Sequence, residues 1–153
     1  MSLEPHSPSN PGPLYVDVDG TLLRTDLLYE SIAGVAARAP WMLLLVPFWL
    51  LRGKAYLKQR LAEAGAIDAS QLPRTPEIVR LIEEEAAKGR EVILASASHR
   101  PLVEEVAKST PGVAPRVIAS DGVTNMRGAV KRDALIADAG GRNFGYVGND
   151  FVD

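Results

Sequence analysis

Apolar positions along the chain follow two different periods. Leu14-Tyr15-Val16-Asp17-Val18 is a short β-prone run set between prolines and Gly20, which predicts a buried strand ending in a loop. Glu91 to Ser96, Arg116 to Ser120 and Phe144 to Val147 are runs of the same kind. Between the runs the pattern turns helical. From Asp26 to about Gly65 the chain is rich in Ala and Leu but is broken at Pro40, Pro47 and Gly53, so several short helices are expected instead of one rod. Thr75-Pro76-Glu77 supplies an N-cap, a first-position proline and a first-turn acid; Ile78, Leu81 and Ile82 then share a face until Gly89 stops the helix. Further helices are expected from Pro101 to Lys108 and from Gly128 to Asp138. Strands that alternate with helices predict a parallel sheet in a doubly wound α/β layer.

One stretch departs from both periods. Trp41 to Leu51 is a run of eleven apolar residues containing Pro47, whereas crossing a bilayer takes roughly 20. The plain reading is a buried helix pair, with one apolar edge left exposed because so small a helical unit has too few faces to cover the whole run. The other is an interfacial wedge, with Trp41 and Trp49 near its ends and Arg52, Lys54, Lys58 and Arg60 after it.

Composition narrows the classes. In 153 residues, 17 Lys and Arg oppose 19 Asp and Glu for a net charge of −2, so the surplus of cations that nucleic-acid binding requires is missing and no nucleic-acid partner is expected. A hydrophobic content of 46% and a charged content of 24% fit one globular domain. The absence of cysteine removes disulfides, thiolate metal sites and a cysteine nucleophile, and suits a reducing cytoplasm. Residues 1–12 are polar and proline-rich, a flexible lead-in without the apolar segment of a secretion signal.

In open parallel sheets, ligands bind at the C-terminal ends of the strands. Strand one ends in Asp17-Val18-Asp19-Gly20-Thr21, strand two in Ser96-Ala97-Ser98, a helix after strand three carries Lys131, and strand four runs into Gly148-Asn149-Asp150-Phe151-Val152-Asp153. Taken singly, Asp-Gly-Thr is a turn, a strand-terminal Ser a cap and a helical Lys a solvated side chain. Together and in this order they resemble the haloacid dehalogenase superfamily. The resemblance implies a Rossmann-like α/β fold with a small helical cap, about residues 26–72, inserted after the first strand of a domain covering residues 13–153. It also implies a Mg²⁺-dependent phosphomonoester hydrolase in which Asp17 attacks phosphorus to give an aspartyl-phosphate and Asp19 acts as general acid and base. Lys131 would stabilise the transferring oxygens and the Ser96 hydroxyl would orient one of them. Gly20, Thr21, Ala97 and Ser98 would line the substrate site, although Ser98 and His99 are more simply the start of the next helix. Asp121-Gly122 is expected to form a turn.

The implied Mg²⁺ ligands are Asp17, Asp19, Asn149, Asp150 and Asp153. Asn149 stands where the family usually has its first metal-binding Asp, with Asp150 displaced by one place; an amide carbonyl ligates Mg²⁺ without contributing charge. The sequence also stops at Asp153, where family members normally continue, so an excised piece is expected. Dehalogenation by the same nucleophile is disfavoured, because Asp19 and the fourth motif serve phosphate chemistry.

The string as a whole, including Thr-Leu-Leu-Arg-Thr-Asp-Leu-Leu, Trp-Leu-Leu-Arg-Gly-Lys-Ala and Tyr-Val-Gly-Asn-Asp, looks like the phosphatase-like N-terminal domain fused to UbiA-type polyprenyltransferases. That resemblance implies a membrane prenyltransferase domain in cis, a place at the cytoplasmic face of the membrane, and a small phosphorylated substrate such as a prenyl or phosphoribosyl phosphate. The rival reading is a non-catalytic docking or regulatory module that keeps the fold.

Overall fold

The structure, a computed structural model, describes residues 11–148. Four strands, β1 (Leu14–Asp17), β2 (Val92–His99), β3 (Val117–Ser120) and β4 (Gly145–Val147), form one sheet in the order β3-β2-β1-β4. All three pairings are parallel. The central strand β1 therefore has β2 on one side and β4 on the other, which makes the end of β1 the point where the chain order reverses and a crevice opens. In register, Asp17 lies opposite Ala95, and Val16 opposite Val147.

Side-chain alternation along the strands sends residues to two different helix layers. Leu14, Val16, Val92, Leu94, Val117 and Ala119 join one core with Ile82 of α4 (Pro76–Ala87) and Leu102, Val103 and Val106 of α5 (Arg100–Lys108). Tyr15, Ile93 and Ala95 face the other way, onto Leu135 and Ala139 of α6 (Ala129–Ala139). Helices on both faces of a parallel sheet are the doubly wound arrangement expected from the alternating pattern.

Three helices inserted between β1 and β2 carry a core of their own: α1 (Leu27–Arg38), α2 (Val46–Leu51) and α3 (Lys54–Gly65), with a 3₁₀ helix at Pro40–Leu45. Val35, Trp49 and Leu61 are the buried centre of that cluster. Asp26 caps α1 by accepting the Leu28 amide at 2.7 Å. Gly34 and Gly65 permit the close crossing of α1 and α3: a Cβ on Gly34 would stand 2.4 Å from the Gly65 carbonyl oxygen, and one on Gly65 would stand 2.5 Å from that of Ser31.

Several local expectations are corrected. β2 runs on to His99, so Ser98 and His99 belong to the strand end, and the helix starts only at Arg100, with Pro101 in its first turn. Thr75 holds the N-cap position of α4 without a side-chain cap hydrogen bond; the first-position proline has no N–H to offer, and the fold itself fixes the helix start. Gly12, expected at the end of a flexible lead-in, is buried and gives its carbonyl to Arg90 Nε at 2.8 Å. The largest correction concerns Trp41 to Leu51, where a mostly buried run was expected. Trp49 is buried, but Trp41, Leu44, Phe48 and Leu51 are 65–86% exposed. The reason is geometric: two short helices reach the cluster only through Met42, Leu43, Val46 and Trp49, and no other described element covers their outer side.

Candidate active site

The site is assembled at the end of β1. After Asp17 the chain turns back tightly, with the Leu22 amide donating to the Asp17 carbonyl at 3.2 Å and the Leu23 amide to that of Val18 at 2.9 Å. Gly20 sits at φ +72°, its amide donating to the Thr25 carbonyl at 3.2 Å, a left-handed conformation that a residue with a Cβ adopts only with strain. This loop brings Asp19 back beside the strand ends.

Two distinct carboxylate environments result. Asp17 Oδ1 accepts a hydrogen bond from Lys131 Nζ at 2.6 Å, and Oδ2 accepts one from Thr21 Oγ1 at 3.3 Å. Lys131, in the first turn of α6, also lies 5.3 Å from the centre of the Tyr146 ring. Burial acts to lower the pKa of its ammonium, but the charge and hydrogen bond of Asp17 outweigh burial, and the net shift is upward. Asp19 is held by donors alone: Leu27 N to Oδ1 at 2.8 Å, and to Oδ2 Ser96 Oγ at 2.7 Å and Ser98 Oγ at 3.0 Å. Burial nonetheless pushes its carboxyl above the usual carboxylate value, against the opposing pull of these hydrogen bonds. One acid is paired with a cation and the other is held by neutral donors with its pKa raised by burial, a difference of environment of the kind that separates the roles of two carboxyls.

The other expected residues fall into place unequally. Ser96 is fully buried; it donates its one hydroxyl proton to Asp19 and accepts the Ser98 amide at 2.9 Å, which leaves no proton for a phosphoryl oxygen in this arrangement. Ala97 and Ser98 line the cavity. Gly20 and Thr21 belong to the turn beneath it, Thr21 reaching the site through Asp17. Asp121 accepts the amides of Val123 and Thr124 at 3.0 and 2.7 Å, the expected turn. Asn149, Asp150 and Asp153 lie outside the described residues.

The cavity has a volume of about 430 Å³ and opens over Asp17, Asp19 and Lys131. Its walls mix apolar side chains, Leu28, Met126, Leu135 and Phe144, with the cations Lys58, Arg127 and Arg132. Lys58 is the residue that sequence reasoning missed, having counted it only among the cations after the apolar run. From α3 it reaches across to the sheet, donating to the Ala97 carbonyl at 2.7 Å and to Asn125 Oδ1 at 3.1 Å. Burial lowers its pKa while the charge of Asp19 works the other way. A helical spacing gives no signal for a lysine that crosses from one packed unit to another.

Among the described residues no three acidic or imidazole groups cluster as a metal site. The donors present are the Asp17 carboxylate and the Asp19 main-chain carbonyl, which accepts no hydrogen bond from the described residues. Hard oxygen donors of this kind fit Mg²⁺.

The chain is 30% identical over 95 residues, 61% of its length, to a Sinorhizobium fredii (strain NBRC 101917 / NGR234) protein designated uncharacterized protein y4nM. It spans 18% of that relative's length. The profile of the haloacid dehalogenase-like hydrolases matches residues 14–140, from the first strand through the last described helix. With that match over most of its length, the chain belongs to the haloacid dehalogenase-like hydrolases.

Proposed function

We propose that this chain is a Mg²⁺-dependent phosphomonoester hydrolase working through an aspartyl-phosphate on Asp17. The observation that carries the reading is the pairing of Lys131 with Asp17 at 2.6 Å, beside an Asp19 whose carboxyl is pushed by burial above the usual carboxylate value. Asp17 attacks phosphorus, the ester P–O bond breaks, and the departing oxygen takes the proton of Asp19. Water then attacks the aspartyl-phosphate, Asp19 accepts its proton, and phosphate leaves with Asp17 restored. Lys131 neutralises charge on the transferring oxygens. Asp17, the Asp19 carbonyl, Asn149, Asp150 and Asp153 would hold Mg²⁺, whose charge offsets the repulsion between a carboxylate and an anionic phosphoryl group. The apolar wall beside cations suits a phosphate ester with an apolar body; a prenyl phosphate fits this lining better than a phosphoribosyl group does.

The test is phosphate release from aryl and alkyl phosphates with Mg²⁺ present. Asp17→Asn is nearly isosteric but has no nucleophilic oxygen, so it should keep the parent's melting temperature and lose turnover. Hydrolysis equal to the parent's would sink the nucleophile assignment. A parent with no turnover on any ester would favour the non-catalytic module instead.

A further inference from the structure

The outer side of the 3₁₀ helix and α2 carries an apolar surface that the catalytic reading does not use. Trp41, Leu44, Phe48 and Leu51 recur at intervals of three, four and three along a continuous helical path through Pro40–Leu45 and Val46–Leu51. That spacing puts them on one side, and they are 65%, 77%, 66% and 86% exposed. Phe48 and Leu51 also border an open groove of about 420 Å³ together with Arg52 and Tyr56. An exposed apolar patch rimmed by polar groups marks an interaction surface.

Charge selects the occupant. From Ser31 to Ala62 the chain has no Asp or Glu but has Arg38, Arg52, Lys54, Lys58 and Arg60. Lys58 turns to the sheet, and Arg60 pairs with Glu63 at 2.9 Å while covering the buried Trp49 ring at 5.7 Å. The exposed Arg38, Arg52 and Lys54 flank the apolar stretch, Arg52 lying over the Tyr56 ring at 5.3 Å. Exposed aromatic and aliphatic side chains along the run, with cations before and after it in the chain, Arg52 beside Phe48 and Leu51, and no acidic residue between them suit an anionic bilayer, acyl chains below charged headgroups. A protein partner of this size of patch would be expected to meet the cations with carboxylates, and a second copy would bring the same cations against them.

We propose that the Trp41–Leu51 face docks the domain in the plane of an anionic lipid surface, inserting Trp41, Leu44, Phe48 and Leu51 and setting Arg38, Arg52 and Lys54 at the headgroups. No helix of the described residues is long and apolar enough to cross a membrane, so the contact is interfacial.

The experiment is co-sedimentation of the full chain with vesicles of phosphatidylcholine alone and of phosphatidylcholine mixed equally with phosphatidylglycerol. The chain should sediment with the anionic vesicles, and less as salt is raised. Leu51→Ser should weaken partitioning by at least about ten-fold and Arg52→Gln by about five-fold. Both residues are exposed, so both variants should keep the parent's melting temperature and its hydrolysis of a small aryl phosphate in free solution. No sedimentation with anionic vesicles overturns the proposal, as does sedimentation that neither substitution alters. Self-association that Leu51→Ser abolishes, without vesicle binding, assigns the face to a second copy and overturns it too.

Discussion

Asp17 and Asp19 stand two positions apart and are chemically different because of what surrounds them. The Asp17 carboxylate lies 2.6 Å from the Lys131 ammonium. The Asp19 carboxyl, hydrogen-bonded by one amide and two hydroxyls, is pushed above the usual carboxylate value by its burial. The sign of its contribution to stability follows. With the folded pKa above the ordinary 3.8, the favourable contribution of protonated Asp19 is complete below that value and is lost as pH rises through the raised one. Asp19→Asn removes the charge and keeps the shape. Its melting temperature, measured with a chelator present, should match the parent's in acid and exceed it increasingly toward neutral pH; a difference that stays flat with pH would contradict the burial argument. The same variant should lose about 10²–10⁴-fold in turnover, most for alkyl phosphates, whose leaving oxygen needs the proton.

At the scale of elements, the inserted helices depend on few contacts. Trp49 fills the space between Val35 and Leu61 and is 7% exposed, whereas its neighbours Phe48 and Leu50 face outward. Trp49→Ala should therefore cost about 3–5 kcal/mol, read by denaturant unfolding, while a loss within about half a kcal/mol would mean that this cluster is not a packed core. The α1–α3 crossing is equally specific. The two glycines that allow it, Gly34 and Gly65, lie on helices where glycine lowers intrinsic propensity, and the close approach of backbones explains their presence. By contrast, the apolar run between those helices is poorly covered, because two six-residue helices have too few turns to bury every side.

Across the whole molecule, the insertion and the sheet meet at the cavity. Lys58 links α3 to the Ala97 carbonyl and to Asn125, and Gln59 stands next to Gly122, where a Cβ would lie 2.2 Å from its Oε1. The insertion thus touches the end of β2 and the loop after β3, the two places that frame the crevice beside β1. Lys58→Met keeps much of the side chain's bulk and removes the ammonium. It should raise KM for phosphate esters by about ten-fold with kcat changed by less than about two-fold, the mark of lost ground-state binding. A fall in kcat with KM unchanged would instead place Lys58 in the transition state.

The period of every strand and most helices is legible along the chain, because each depends on local propensity and on alternation that a linear string displays. The sequence by itself also placed Asp17, Asp19, Ser96, Ala97, Ser98 and Lys131 at strand or helix ends, since strand termini are where a parallel sheet leaves polar groups uncovered. Tertiary structure decided which of these groups meet. That Lys131 pairs with Asp17 across 114 positions, that Ser96 donates a hydrogen bond to Asp19, and that Ser98 joins it from the strand instead of opening a helix all depend on register and long-range packing. The reach of Lys58 to Ala97 and the exposure of Trp41, Leu44, Phe48 and Leu51 are of the same kind. Burial belongs to the neighbours a residue acquires in space, and a one-dimensional pattern records only how apolar that residue is.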